Sequence, residues 1–311
     1  MRGGRPFNGS RSWLGWCIFQ PGQRPSVAMF DGLVRCLRFR MAARPSPGTG
    51  ARMTDITVQQ HWIDLPEGRL YAQSWLPAVE QGAPIILLHD SLGCVALWRD
   101  FPACLAQATG CRVIAYDRLG FGYSDTHPGQ LRVGFVEAEA CQGFAAVRRQ
   151  LGIEQFLVFG HSVGGGMAIA CAAAHAEYCL GLITESAQAF AEARTLEGIR
   201  AAARQFAEPG QLQRLQRYHG DKAEWVLRAW IDNWLSADFA SWNLDGVLAQ
   251  VRSPLLCLHG DNDEFGSLAH PERLVRLAAG PSRKTILAGC GHVPHREQMP
   301  RVLDEVVRFL A

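Results

Sequence analysis

One short segment of this sequence has residue types and spacing that can support nucleophilic catalysis. Residues Gly160-His-Ser-Val-Gly164 place Ser162 between two glycines in the pattern G-x-S-x-G. A serine hydroxyl attacks a carbonyl group only when a base removes its proton, and a sharp strand-to-helix turn exposes the hydroxyl for that attack. Glycines suit such a turn because side chains there would crowd the neighbouring strand and helix. The segment indicates a catalytic serine or, as the alternative, a flexible turn.

The residues on either side of Ser162 favour the nucleophile. An apolar run at 156–159 precedes it and an alanine-rich helical pattern at 162–176 follows it. A phosphate-binding loop is disfavoured, because no lysine follows in the spacing G-x-x-x-x-G-K-[ST]. A second glycine motif, Gly120-Phe-Gly122, lacks the third glycine and the helix of a dinucleotide loop, so we interpret it as a structural loop that braces the serine turn.

The elements that must position Ser162 are strands alternating with helices. A hairpin is predicted over residues 56–63 and 69–75, followed by strands at 84–88, 112–116, 156–159, 180–184, 255–258 and 285–287. Helical patterns lie at 95–108, 135–151, 162–176, 270–279 and 300–310. Short apolar runs of this kind are typical of strands buried on both faces, which predicts an α/β fold with a mostly parallel, doubly wound sheet.

Polar motifs follow most of these strands, where ligands bind in such sheets. They are His89-Asp-Ser-Leu-Gly93, Asp117-Arg-Leu-Gly-Phe-Gly-Tyr-Ser124, Gly160-His-Ser-Val-Gly164, His259-Gly-Asp-Asn-Asp263 and Ala288-Gly-Cys-Gly-His292. The carboxyl edge of the sheet is therefore the expected site.

The region at about 188–248 interrupts the alternation of strands and helices, and its pattern predicts a helical insertion, or cap, over the site. It holds four of the nine tryptophans, namely Trp225, Trp230, Trp234 and Trp242. Ordinary core packing is the commoner role of such aromatic residues, and an apolar wall of a substrate pocket is the functional alternative.

Taken in order, the motifs HDSLG, DRLGFGYSD, GHSVGG, HGDND and GCGH resemble those of the α/β-hydrolase superfamily, in its capped, serine esterase-like branch. The resemblance covers residues 55–311. It implies Ser162 as the nucleophile, followed along the chain by an acid and a histidine. It assigns the acid to Asp263, with Asp261 and Glu264 as neighbouring alternatives.

The base implied by the resemblance is His292, because the pattern G-H-x-x-x-x-E runs from Gly291 to Glu297. His295 is then a packing residue or a substrate contact. The resemblance places the two oxyanion N–H groups on Val163 and Ser91. The loop departs from the usual His-Gly pair at His89-Asp90, where the carboxylate could disfavour anionic substrates, shift the histidine's pKa or accept a hydrogen bond from nearby backbone.

The predicted activity is cofactor-independent cleavage of a carboxylic ester or related acyl bond. We expect a small-molecule substrate with an apolar acyl or alcohol group, contacted by His161, Trp230 and Trp234. An acyltransferase, a C–C bond hydrolase and a cofactor-free haloperoxidase-like enzyme would use the same triad, and a ligand receptor could share the fold. The sequence does not indicate an oligomeric state.

Composition excludes several classes of function. The 311 residues are 48% hydrophobic with a formal net charge of +2, which does not suggest a nucleic-acid-binding protein. Ten scattered cysteines without a C-x-x-C pair, and equally scattered histidines, indicate reduced thiols and no metal site. Without a run of eighteen apolar residues no membrane span is expected, and the predicted location is cytoplasmic.

The first 54 residues differ from the rest. They carry nine arginines and one acidic residue and lack a helical or strand period. We expect a disordered arginine-rich leader or, as the favoured alternative, translation that begins at Met53, which leaves residues 55–311 as the hydrolase domain.

Overall fold

The computed structural model describes residues 56–311, so the predictions for the leader lie outside the described residues. The described chain begins with the predicted hairpin, β1 (Thr57–Leu65) and β2 (Gly68–Leu76), which pair antiparallel along their whole length. The turn contains Leu65-Pro-Glu-Gly68, and Gly68 has a φ of 146°, a conformation that side chains disfavour.

Six further strands complete one eight-stranded sheet in the order β1-β2-β4-β3-β5-β6-β7-β8. They are β3 (Ile85–Leu88), β4 (Val113–Tyr116), β5 (Phe156–His161), β6 (Cys179–Glu185), β7 (Leu255–Gly260) and β8 (Ser282–Leu287). Pairs from β4 through β8 are parallel, whereas β2 joins β4 antiparallel. Every residue of β3, β4 and β5 is buried, so both faces of the sheet are covered. The predicted mostly parallel α/β sheet is confirmed.

The helices connect and cover these strands. They are α1 (Phe101–Thr109), α2 (Phe135–Ala138), α3 (Gly143–Gln150), α4 (Val163–Ala174), α5 (Ala193–Phe206), α6 (Gln211–His219), α7 (Ala223–Trp234), α8 (Asp245–Leu248), α9 (Ala269–Leu277), α10 (Pro294–Glu297) and α11 (Met299–Leu310). Within residues 56–311, none of them has the length and apolar character needed to cross a membrane.

Two helices expected to be continuous are interrupted. The pattern at 95–108 forms a short 3-10 helix, Val95–Trp98, and then α1, because Pro102 has no N–H and its ring would clash with the carbonyl four residues earlier. The pattern at 135–151 divides into α2 and α3. Between them the partly buried Glu139 carboxylate accepts a hydrogen bond from the Tyr116 hydroxyl (2.6 Å), a tertiary contact that periodicity does not encode.

The segment between β6 and β7 carries α5 to α8, which is the region of the predicted helical insertion. Part of it is held by an aromatic cluster. The rings of Phe239 and Trp242 stack at 5.0 Å between centroids, and Trp234 lies 4.9 Å from Phe239. These side chains are buried, and Phe239 also stacks on Phe135 at 6.1 Å, so the cluster packs this part of the segment against α2.

Candidate active site

Ser162 is the single residue between the end of β5 and the start of α4. Its backbone has φ 57° and ψ −125°, a conformation that costs energy for a residue with a side chain. The flanking glycines make this turn possible. A Cβ on Gly160 would lie 2.0 Å from the Gly164 carbonyl oxygen, and one on Gly164 would lie 2.2 Å from that of Leu88. Both contacts involve backbone, so larger residues would force the turn apart.

The structure brings Ser162 together with the two residues that the resemblance assigned to its triad. The Nε2 atom of His292 lies 3.0 Å from the Ser162 hydroxyl. On the other side of the ring, Nδ1 lies 2.8 and 2.9 Å from the two Asp263 carboxylate oxygens. Since a carboxylate only accepts, Nδ1–H donates to Asp263 and Nε2 is left to accept the serine proton.

Electrostatics suit His292 to the role of a base. Burial of its ring opposes the charged form, but the adjacent Asp263 carboxylate more than offsets this and raises the pKa of His292. Burial likewise acts to raise the pKa of Asp263, whereas the His292 ring and the Phe265 amide lower it, with a net decrease. An ionised Asp263 can therefore stabilise the imidazolium that forms when His292 takes a proton.

Backbone donors hold both partners in place. The amides of Phe265 and Gly266 donate to Asp263 Oδ1 at 2.8 and 3.1 Å. Glu297 accepts hydrogen bonds from the amides on both sides of His292, at 2.7 Å from Gly291 and 3.1 Å from Val293. The glutamate of the G-H-x-x-x-x-E pattern thus shapes the loop that carries the base.

The alternatives to these triad residues have other surroundings. Asp261 accepts the Gly289 amide at 2.7 Å in an exposed turn. Burial raises the pKa of the Glu264 carboxyl, which favours its neutral form. His295 is buried, and its Nδ1 lies 2.5 Å from the Glu185 carboxylate on the end of β6.

Ser91 and Val163, the predicted oxyanion residues, line one cleft. Val163 is the first residue of α4, so its amide has no acceptor within the helix. In the Asp90 loop, the described hydrogen bonds engage the amides of Leu92 and Gly93 but not that of Ser91. Val163 directly follows Ser162 in the chain and Ser91 lines the same cleft as Val163, which makes the two amides candidates for the donors that acyl transfer needs.

The cleft is narrow, with a cavity volume of about 10 Å³, and it is lined mainly by apolar side chains. Its remaining lining residues are Arg118, Phe121, Leu131, Phe135, Ala229, Trp230 and Trp234. Among the described lining residues, Arg118 is the one charged side chain. A larger open cavity of about 380 Å³ shares Arg118, Phe121, Leu131 and Phe135 with this cleft.

The four tryptophans of the helical segment have different surroundings. Trp230 and Trp234 line the cleft. Trp225 packs over Gly120 and donates its indole N–H to the Gly129 carbonyl at 2.8 Å. Trp242 belongs to the aromatic cluster with Phe239.

His161, which was predicted as a pocket residue, is outside the described lining of this cleft and lines a second small pocket with His89, Asp90 and His295. It is 1% exposed. Its Nε2 lies 2.8 Å from the main-chain oxygen of His292, and its Nδ1 lies 3.3 Å from the Asp90 carboxylate. The ring therefore contacts the loops of the base and of the oxyanion residues.

Sequence reasoning missed two groups that the structure places at the site. The carboxamide oxygen of Gln188 lies 3.4 Å from the Ser162 hydroxyl, so it offers the serine proton a second acceptor. Arg118 lies in the cleft wall within a motif interpreted only as structural. Gln188 lies just after the end of β6. From the sequence, no function was predicted for the residues that follow this strand.

One group of side chains has the composition of a metal site. The ligand atoms of His161, Glu185 and His295 lie within 4.8 Å of one another, and all three residues are buried. The Glu185–His295 separation of 2.5 Å is shorter than the roughly 3.4 Å between two ligands of a tetrahedral zinc ion. This spacing fits a direct hydrogen bond and leaves no room for an ion.

Comparison with known proteins identifies the family of this chain. A 2-hydroxy-6-oxo-6-phenylhexa-2,4-dienoate hydrolase of Comamonas testosteroni is 27% identical over 257 residues, which cover 74% of this chain and 88% of the relative. A proline iminopeptidase from Mycobacterium smegmatis has a TM-score of 0.63 at 21% identity, covering 81% of this chain and 97% of that one.

A thermophilic esterase from Thermogutta terrifontis also has a TM-score of 0.63 at 21% identity, covering 81% of this chain and 98% of that one. These two structures share the fold. The profile of the alpha/beta hydrolase fold family matches residues 83–245, more than half of the sequence. The chain belongs to the alpha/beta hydrolase fold family.

Proposed function

We propose that this protein is a serine hydrolase that cleaves a carboxylic ester or related acyl bond through an acyl-enzyme. The observation that carries the proposal is the continuous chain of contacts from Ser162 Oγ to His292 Nε2 and from His292 Nδ1 to Asp263. This arrangement activates a serine and also returns its proton to a leaving group.

The residues act in sequence in the proposed reaction. Ser162 Oγ bonds to the carbonyl carbon while its proton moves to His292 Nε2, and the carbonyl oxygen becomes an anion facing the Ser91 and Val163 amides. Collapse of this intermediate breaks the bond to the leaving alkoxide, which takes the proton from His292. Water then attacks the acyl-serine with His292 as the base, releasing the acid and restoring the Ser162 hydroxyl.

The apolar walls that the narrow cleft shares with the adjoining cavity of about 380 Å³ support a small substrate with an apolar group. Phe121, Leu131 and Phe135 face the same space as Trp230 and Trp234. Burial of a short acyl chain or a small aromatic alcohol against these side chains would contribute to binding in proportion to the apolar area covered.

A fluorophosphonate probe tests the proposal without knowledge of the natural substrate. We expect covalent labelling of Ser162, which Ser162→Ala abolishes. Ser253→Ala is the matched control, because Ser253 is also buried but bonds to Cys179. A folded wild-type protein that reacts with neither the probe nor any ester of an acetate-to-octanoate series would contradict the proposal.

Hydrolysis of a carbon–carbon bond next to a ketone is the second candidate. It is favoured by the relative from Comamonas testosteroni, whose named substrate carries a 6-oxo group that a hydrolytic site could attack. The two candidates are distinguished by assaying the same protein preparation with the ester series and with the dienoate named for this relative. Faster loss of the dienoate, measured as kcat/KM, would favour the second candidate.

A further inference from the structure

We propose that His161 is a doubly protonated positioning residue that joins the oxyanion loop to the loop of the catalytic base and neutralises Asp90 beside the oxyanion site. The proposal rests on the proposed function in one respect, namely that an oxyanion forms near Ser91.

Both ring nitrogens of His161 face acceptors. Nε2 lies 2.8 Å from the His292 carbonyl oxygen, and Nδ1 lies 3.3 Å from Asp90 Oδ2. A carbonyl oxygen and an ionised carboxylate have no proton to donate. A neutral imidazole carries a single N–H, so it could donate to only one of these two acceptors. Its other nitrogen would then place a lone pair against the second acceptor. The geometry therefore calls for a hydrogen on each nitrogen.

Asp90 is well placed to remain ionised. Its other oxygen, Oδ1, accepts the Leu92 amide at 2.8 Å, and 20% of its side chain is exposed to solvent. Burial acts to raise the pKa of Asp90, but the interaction with His161, then the charge of His89 and the Leu92 amide, hold it well below its usual range. The carboxylate and the imidazolium form an ion pair at 3.3 Å whose histidine is buried and whose carboxylate is partly exposed.

The other groups around His161 are compatible with a positive charge. The ring of the proposed base, His292, lies 5.2 Å from His161 and is neutral until it takes the serine proton, and the His295 and Trp98 rings lie 5.1 and 6.3 Å away. Burial lowers the pKa of His295, which favours its neutral form, and its partner Glu185 contributes a second negative charge. Two carboxylates therefore balance one imidazolium, which reduces the cost of burying it.

The position of this pair gives it a consequence for catalysis. Asp90 directly precedes Ser91, whose amide is a proposed oxyanion donor, and an unbalanced carboxylate there would oppose the negative charge of the intermediate. His161 directly precedes the nucleophile and bonds to the backbone of the base. One ring thus ties together the loops of Ser91, Ser162 and His292.

A double-mutant cycle with His161→Gln and Asp90→Asn tests this coupling. We expect His161→Gln alone to slow fluorophosphonate labelling of Ser162 and kcat for an ester by about 10- to 100-fold, because Asp90 loses its partner. Asp90→Asn alone can keep the geometry with a neutral imidazole, and we expect less than about a threefold change. The double variant should recover at least half of the loss on a logarithmic scale.

A matched control is His175→Gln, because His175 Nε2 also bonds to a backbone carbonyl, that of Ala140 at 2.9 Å, away from the triad. We expect its labelling rate to equal that of the wild type. If the effects of His161→Gln and Asp90→Asn simply multiply, the coupling is wrong.

Nitrogen-15 NMR of the histidine rings tests the protonation state in the unaltered protein. At neutral pH we expect both His161 nitrogens to be protonated in the wild type and only one in Asp90→Asn. A singly protonated wild-type ring overturns the inference. Absence of labelling at Ser162 in every variant would instead defeat the proposed function, since the NMR result does not depend on activity.

Discussion

The carboxyl edge of the sheet and the helical segment at 193–248 build the site by different means. At the sheet edge, contacts of the backbone fix the positions of the site side chains. Gly164 lies against the Leu88 carbonyl, backbone amides hold Asp263, and an amide of the His292 loop is held by Glu297. The helical segment contributes apolar surface from Trp230 and Trp234. Contacts between backbone atoms tolerate little change, whereas an apolar wall can be repacked. We therefore expect chemistry to depend on the first region and substrate range on the second.

Removal of the nucleophile should have the largest effect. Ser162→Ala eliminates the atom that forms the acyl bond, so we expect kcat for an ester to fall by about 10³- to 10⁶-fold. The thermal unfolding temperature should stay within a few degrees, because the change removes one oxygen atom. Retention of more than a tenth of the activity would mean that the sheet edge does not supply the nucleophile.

Gly164→Ala should damage both activity and stability. Its Cβ would lie 2.2 Å from the Leu88 oxygen, and neither backbone segment can move without displacing the serine turn. We expect a loss of about 1–3 kcal/mol in the free energy of unfolding, measured by urea denaturation, and loss of most labelling of Ser162. Gly246→Ala is the control, since a Cβ at Gly246 has no neighbour within 4 Å. Equal stability of both variants would contradict the steric argument.

The pH profile should follow the protonation of His292. The Asp263 carboxylate raises the pKa of His292, so the neutral base is lost as the pH falls through a value above the ordinary pKa of about 6.5. We expect kcat/KM to decrease about tenfold per pH unit on the acid side of that point. A profile that stays flat from neutral pH down to about pH 5 would exclude His292 as the base.

Trp230→Ala should have the smallest effect on chemistry and a measurable one on selectivity. It removes apolar area from the cleft, so we expect KM for a hexanoate or octanoate ester to rise by about 3- to 30-fold while kcat for acetate changes little. Trp225→Ala is the matched control, because Trp225 packs over Gly120 outside the described lining of the cleft. Equal changes for acetate and octanoate would argue against a binding role for this wall.

The sheet edge was predictable from sequence because each feature there has a local signature. Gly160 and Gly164 flank Ser162 at fixed spacing, and the sheet that was expected around them is present. The contacts of His161, Gln188 and Arg118 were not predictable, since they join residues from different strands and loops. Gln188 lies 3.4 Å from a serine that is 26 positions away in the chain. Side-chain direction, which no spacing rule specifies, decides such contacts.

The helical segment was the less predictable region. Its tryptophans suggested one apolar wall, but Trp225, Trp230 and Trp242 have separate surroundings. Periodicity indicates which residues are buried and leaves open what they are buried against.

Acyl-enzyme formation at Ser162 is the central claim, and trapping of the intermediate tests it most directly. The wild-type protein is mixed with a chromogenic ester, quenched in acid within its first turnovers, digested and analysed by mass spectrometry. We expect the mass of one acyl group on the peptide that contains Ser162, with none in the Ser162→Ala protein. Turnover of the ester with no acyl group on that peptide, or with the group on another residue, would contradict the account.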